Sequence, residues 1–226
     1  MKIILVRHGQ TQANIDWKYS TLDTSLAESG LYILDKTKKL LADYKIDEVY
    51  TSKLVRSQET AQRLGFSQFI PDERLNEMNF GLFRGRGIDE VRENEKEFFK
   101  KEIENYFEIT YPDGESRIDV IRRTGDFLDE LSQKKDKTIL CISHGIAIRS
   151  CLFWILKDLA NWGSFWIDNG SLTVFDVKDG KKLIESVNKI WNLSTWQMLI
   201  YQILLILIEI FQLRLGRHLG WVLKKL

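Results

Sequence analysis

The chain has 226 residues, with 33 Lys and Arg against 32 Asp and Glu, for a formal net charge of +1. Charge this balanced and interspersed excludes the electrostatic footprint of a nucleic-acid-binding protein, and the length suits one domain with a large core. The two cysteines, Cys141 and Cys151, have neither redox nor zinc spacing, and with three histidines and no paired ligand motif no metal site or cofactor is expected.

The first apolar run, residues 3–6, reads as a buried strand that ends directly in Arg7-His8-Gly9. In an open α/β sheet the carboxyl ends of strands are where ligands bind, so a cation and a nucleophilic imidazole stand where chemistry is done. Ser25-Leu26-Ala27-Glu28 has the spacing of a capping box and predicts a helix to about residue 44. Residues 47–51 then read as a strand and 54–64 as a helix, which puts Arg56 in a first helical turn. Free N–H groups and the helix dipole attract anions there, and a guanidinium adds a planar fork suited to phosphate. Glu77 follows in a loop. Residues 89–106, charged but apolar at helical spacing, predict a helical insertion over the site.

Leu140-Cys141-Ile142-Ser143-His144-Gly145 repeats the opening pattern, an apolar strand ending in His-Gly ahead of a helix over 146–156. Residues 170–177 and 182–187 predict a terminal hairpin about Asp179-Gly180. The alternation of strands and helices predicts an α/β fold, a three-layer sandwich with a mostly parallel central sheet flanked by helices. Taken singly, these features have ordinary explanations: a histidine in a turn, a surface arginine, a solvated carboxylate. Two strand-end His-Gly pairs in one chain are not something a fold by itself demands.

Together these segments resemble the histidine phosphatase superfamily, the phosphoglycerate-mutase-like branch whose hallmark is Arg-His-Gly, in its broad-specificity phosphatase type. The likeness covers roughly residues 1–190. Residue by residue, it makes Arg7 the hallmark arginine and His8 the phosphate-accepting histidine. Arg56 matches the second arginine, in a Ser-x-Leu-x-Arg-x-x-x-Thr-Ala segment. Glu77 matches the acid, and His144 the second histidine. Thr11 and Asn14 match residues lining the substrate mouth, and Gly145 joins them as a substrate contact. Pro112-Asp113-Gly114-Glu115-Ser116 and Leu26-Ala27-Glu28-Ser29-Gly30 match two further segments. Where many relatives read Phe-Gly-x-Trp-Glu-Gly, this chain has Phe80-Gly81-Leu82-Phe83-Arg84-Gly85, so a rim carboxylate becomes Arg84.

The resemblance implies a metal-independent phosphatase that hydrolyses small phosphate monoesters through a phosphohistidine at His8. Arg7, Arg56 and His144 would offset the phosphoryl charge, and Glu77 would serve as general acid and then base. A phosphoglycerate mutase-type phosphoryl transferase and a non-catalytic binding module of the same fold are the alternatives. The expected partner is a small phosphorylated metabolite, not nucleic acid. With no signal segment ahead of the first strand, a cytoplasmic location is expected. The phosphatase domain is placed at 1–194 and an apolar helical tail at 195–226. Residues 196–215 are apolar almost throughout, with Gln197, Gln202, Glu209 and Gln212 on one narrow helical face. Three readings of that tail stay open: a helix packed on the domain, on a membrane surface or on a second copy of the chain; a membrane-spanning anchor, which Glu209 opposes; and a shifted reading frame.

Overall fold

The computed structural model describes residues 1–191. The expected boundary after residue 194 and the apolar tail over 196–215 lie outside the described residues. Within them, six strands form one sheet in the order β3-β2-β4-β1-β5-β6. The strands are β1 (Lys2–Arg7), β2 (Glu48–Thr51), β3 (Ile70–Pro71), β4 (Thr138–Ser143), β5 (Leu172–Lys178) and β6 (Lys181–Lys189). The first four run parallel, and β5 and β6 close the sheet as the expected antiparallel hairpin. Asp179 and Gly180 turn it, both at positive φ, as a two-residue hairpin turn of this hand requires.

Side chains alternate across a strand, so β1 feeds two cores. Ile3 and Leu5 pack on one face with α6 (Arg117–Leu131) and α7 (Gly145–Leu156). Ile4 and Val6 pack on the other with α2 (Glu28–Leu41) and α3 (Val55–Leu64). That makes the three layers. Cys141 and Cys151 are free thiols buried in the first core. Phe127 is fully buried there and meets Tyr50 edge-on at 5.5 Å. Phe127→Ala should therefore cost about 3–5 kcal/mol of stability, transfer and cavity terms together. Urea unfolding checks it, and a loss under about 1 kcal/mol would mean that the core collapses around the gap.

One local expectation is corrected, and the expected helical insertion forms in two pieces. The capping box at Ser25 does not form. Leu26 N–H donates to Glu59 Oε2 (2.8 Å) and Ala27 N–H to the Gln10 carbonyl (2.9 Å), which holds the chain extended until Glu28 starts the helix. The capping boxes that do form are Thr11 with Asn14, ahead of α1 (Gln12–Ile15), and Ser116 with Asp119, ahead of α6. The insertion is two helices, α4 (Ile88–Asn94) and α5 (Lys96–Glu104), broken at Glu95. The break lets Phe98 and Phe99 both reach Phe83, at 5.3 and 6.3 Å. A buried Arg117–Glu102 ion pair (2.7 Å), with Tyr111 also donating to Glu102 Oε1, fastens α5 to α6. Among the described residues, no helix is long and apolar enough to cross a membrane.

Candidate active site

β1 and β4 are parallel neighbours, with Arg7 opposite Ser143. That register carries each strand-end histidine one residue past its neighbour's end, so the His8 and His144 rings meet, centroids 4.9 Å apart. His8 N–H donates to the Ser143 carbonyl at 3.0 Å. Its ring Nδ1 lies 2.6 Å from the Gly9 carbonyl. A carbonyl only accepts, so Nδ1 carries the proton and Nε2 keeps a free lone pair. Burial pushes the His8 pKa well below its ordinary value. Arg56 and Arg7 push the same way, against a smaller opposing effect of the Gly9 bond. The ring is therefore neutral.

His144 is fully buried and also held neutral, by burial first and then by Arg56. Its Nε2 lies 2.7 Å from Ser52 Oγ. Arg7 donates through Nη1 to the Ile167 carbonyl at 2.5 Å, and Arg56 through Nη1 to the Thr21 carbonyl at 2.9 Å. The Nε of each arginine is buried with no partner among the described residues. Burial pushes Arg56 down to about 10. An unpaired buried donor costs about 1–3 kcal/mol, so this pair of guanidiniums suits a site that takes up an anion.

Glu77 lies in the loop before a short 3-10 turn at Gly81–Phe83. Its carboxylate accepts from Met78 N–H (2.9 Å) and from the Ile146 and Ala147 N–H groups (both 3.3 Å) at the start of α7. The helix N-terminus thus aims it. The loop is tied down by Arg123, which donates to the Arg74 and Glu77 carbonyls and pairs with Glu115 at 2.9 Å. It is closed by Gly81 at φ +53, where a Cβ would lie 1.7 Å from the Pro112 carbonyl oxygen.

A cavity of about 570 Å³ opens over this floor. Arg7, His8, Arg56, Glu77 and Asn14 line it. Thr11 does not: it is fully buried, and its hydroxyl accepts from Asn14 N–H while Asn14 Oδ1 accepts from Thr11 N–H. Thr11 therefore positions Asn14. Gly145 stands behind Arg7, where a Cβ would touch the guanidinium at 3.5 Å, and it too is off the cavity wall. His144 packs against the His8 ring and is not part of the cavity wall, and its Nδ1 is buried with no partner among the described residues. Among the described residues there is no cluster of ligands that would hold a metal ion.

The sequence model of the histidine phosphatase superfamily (branch 1) matches residues 3–190. The chain belongs to this superfamily. Phosphoserine phosphatase 1 of Hydrogenobacter thermophilus is 30% identical over 198 residues, covering 83% of this chain and 92% of its own. The alpha-ribazole phosphatase structure from Shigella flexneri superposes with a TM-score of 0.75 at 26% identity, over 84% of this chain and 96% of that one. A phosphoserine phosphatase from Entamoeba histolytica, solved with phosphoserine, gives 0.69 at 27% identity, over 83% and 96%. This histidine phosphatase is a phosphoric monoester hydrolase.

Sequence reasoning missed three residues that shape the site of this histidine phosphatase. Ser52, against His144, could have been found as the first residue of the Ser-x-Leu-x-Arg segment. Arg123 sits on α6 with no local signal. Asn169 donates to the His8 carbonyl at 3.0 Å and to Asn14 Oδ1 at 3.3 Å from far along the chain, and nothing near it in sequence announces this.

Proposed function

We propose that His8 Nε2 attacks phosphorus in line, forming an N–P bond as the ester P–O bond breaks. Glu77, entering the step as the carboxylic acid, gives its proton to the leaving oxygen and becomes the carboxylate. It then takes one from the water that attacks the phosphohistidine, and the N–P bond breaks to release phosphate and return His8. Arg7 and Arg56 hold the phosphoryl oxygens and offset charge most strongly at the transition state. His144, neutral before substrate enters, contributes a ring N–H rather than a charge. Asn14 lines the route in, with Thr11 and Gly145 setting Asn14 and Arg7 behind it. The single observation that carries this reading is the Nδ1 bond to the Gly9 carbonyl at 2.6 Å, which leaves Nε2 free in the cavity that Arg7 and Arg56 also line.

The substrate class proposed is a small phosphorylated metabolite, as the names of the phosphoserine and alpha-ribazole phosphatases say of those relatives. The buried free thiols suit a reducing compartment, and we place the protein in the cytoplasm. We infer a catalytic unit of residues 1–194 followed by a separate segment, 195–226. Assay of phosphate monoesters and bisphosphates, with product analysis, tests the reaction. Free phosphate in step with alcohol is expected; phosphoryl groups recovered on a second hydroxyl would make it a transferase. The protein itself supplies the positive charge, so the rate should hold within about twofold in excess EDTA. Full inactivation that a divalent ion restores would overturn the metal-free mechanism.

A further inference from the structure

The cavity is more cationic than one phosphoryl group requires. Among the described residues, five cations line it, Arg7, Lys18, Arg56, Arg84 and Arg123, against three carboxylates, Glu73, Glu77 and Glu115. Arg123 is paired with Glu115, and Glu73 with Lys53 outside the cavity at 2.8 Å. With Arg7 and Arg56 assigned to the reacting phosphoryl group, Lys18 and Arg84 remain in the lining. Arg84 is half-buried, and its Nε donates to the Gly81 carbonyl at 3.1 Å. No carboxylate among the described residues pairs with it, whereas its neighbour Arg86 holds both Glu90 and Glu95. The nearest acid to Lys18 is Asp16 at 3.8 Å, beyond hydrogen-bond range.

These two cations stand on one hydrogen-bonded ribbon. Tyr19 N–H donates to the Arg86 carbonyl (3.0 Å), Gly85 N–H to the Tyr19 carbonyl (2.7 Å), and Ile88 N–H to the Trp17 carbonyl (2.9 Å). Tyr19 anchors the ribbon on the Phe80 ring at 4.6 Å. A half-buried guanidinium with a free fork, fixed before any ligand arrives, is preorganised for a carboxylate or phosphate.

We propose that Lys18 and Arg84 form a second anion subsite, and that the substrate is a phosphate monoester carrying another anionic group, carboxylate or phosphate, away from the reacting phosphoryl. This rests on the reading of Arg7, His8 and Arg56 as the seat of that phosphoryl. The test uses the full chain as wild type, Arg84→Glu, Arg84→Gln and Lys18→Glu, with two matched substrate pairs. One pair is 3-phosphoglycerate against glycerol 3-phosphate, which differ in a carboxylate. The other is fructose 1,6-bisphosphate against fructose 6-phosphate, which differ in a phosphate. The kcat/KM ratio within a pair cancels any loss common to both members. The wild type should favour the more anionic member of at least one pair by about tenfold or more, and Arg84→Glu should cut that ratio at least about tenfold. Arg84→Gln and Lys18→Glu should cut it less, in the same direction, and the responding pair names the group bound. A wild-type ratio near one in both pairs, or a ratio that Arg84→Glu leaves unchanged, overturns the subsite. If none of the four compounds is hydrolysed, it is the catalytic reading that fails. Calorimetric titration of the same compounds into wild type and Arg84→Glu then decides the subsite: weaker binding of the anionic members to the variant supports it, and equal Kd overturns it.

Discussion

His8→Ala should abolish turnover, lowering kcat by at least about 10⁴-fold, because loss of a covalent nucleophile leaves only binding and electrostatics. Alanine removes the imidazole whose Nδ1 is held by the Gly9 carbonyl. Labelled substrate should leave an acid-labile, base-stable phosphoryl group on the wild type and none on His8→Ala. Label that persists on the variant would assign the nucleophile elsewhere. The pH dependence follows from the same burial. The His8 pKa lies well below its ordinary value, so kcat/KM should not fall through nucleophile protonation until the pH is well under about 6.5. Stability should follow the same sign. His8 and His144 are both depressed in the folded chain, so below about pH 6.5 the unfolded chain binds protons first. Their contribution is present above that value and lost as the pH falls toward the folded pKa. A wild type that grows more stable between pH 6.5 and 5, with the His8→Ala and His144→Ala chains not sharing the gain, would contradict the neutral pair.

Glu77→Gln should separate substrates by leaving group. An alkyl alkoxide must be protonated as it departs, whereas p-nitrophenolate needs little help, so kcat/KM should fall about 10³-fold on alkyl phosphates and about tenfold or less on p-nitrophenyl phosphate. The ratio kcat/KM reports the steps through phosphoryl transfer to His8. The second step, in which Glu77 takes a proton from water, shows in kcat. With the aryl ester the variant should therefore give a burst of p-nitrophenol followed by slow release of phosphate. Glutamine can still accept from Met78 N–H, which holds the loop, so the fold should survive, and circular dichroism checks that. Equal losses of kcat/KM on both ester classes would remove Glu77 from the proton-transfer role.

Most of this site was visible in the chain. A hydrophobic run that stops dead at Arg-His-Gly, and a second that stops at His-Gly, marks strand ends carrying chemistry, because burial fixes where a strand stops. The same local reasoning places Arg56 in the first turn of a helix that follows a strand. Local reasoning failed where a distant partner outcompeted a neighbour. Ser25 had the spacing of a cap, but Glu59 and the Gln10 carbonyl took the backbone N–H groups that start the segment. The resemblance makes Thr11 a residue of the substrate mouth and Gly145 a substrate contact; Thr11 is bonded to Asn14 and Gly145 packs on Arg7, and neither is on the cavity wall.

What the amino-acid order determined by itself was the set of elements, the α/β class and the identity of the charged and nucleophilic groups, because these follow from periodicity, burial and residue chemistry within a few turns. What only the tertiary structure decided was which groups meet. The register that sets Arg7 opposite Ser143 brings two histidines from distant strands into ring contact, and it is chosen by the packing of the whole sheet. Asn169 reaching back to His8, Arg123 holding the Glu77 loop, and Arg84 with no carboxylate among the described residues beside a doubly paired Arg86 are likewise set by long-range contacts. Their cost in chain entropy is recovered only when the two cores form together, and no window of sequence contains that balance.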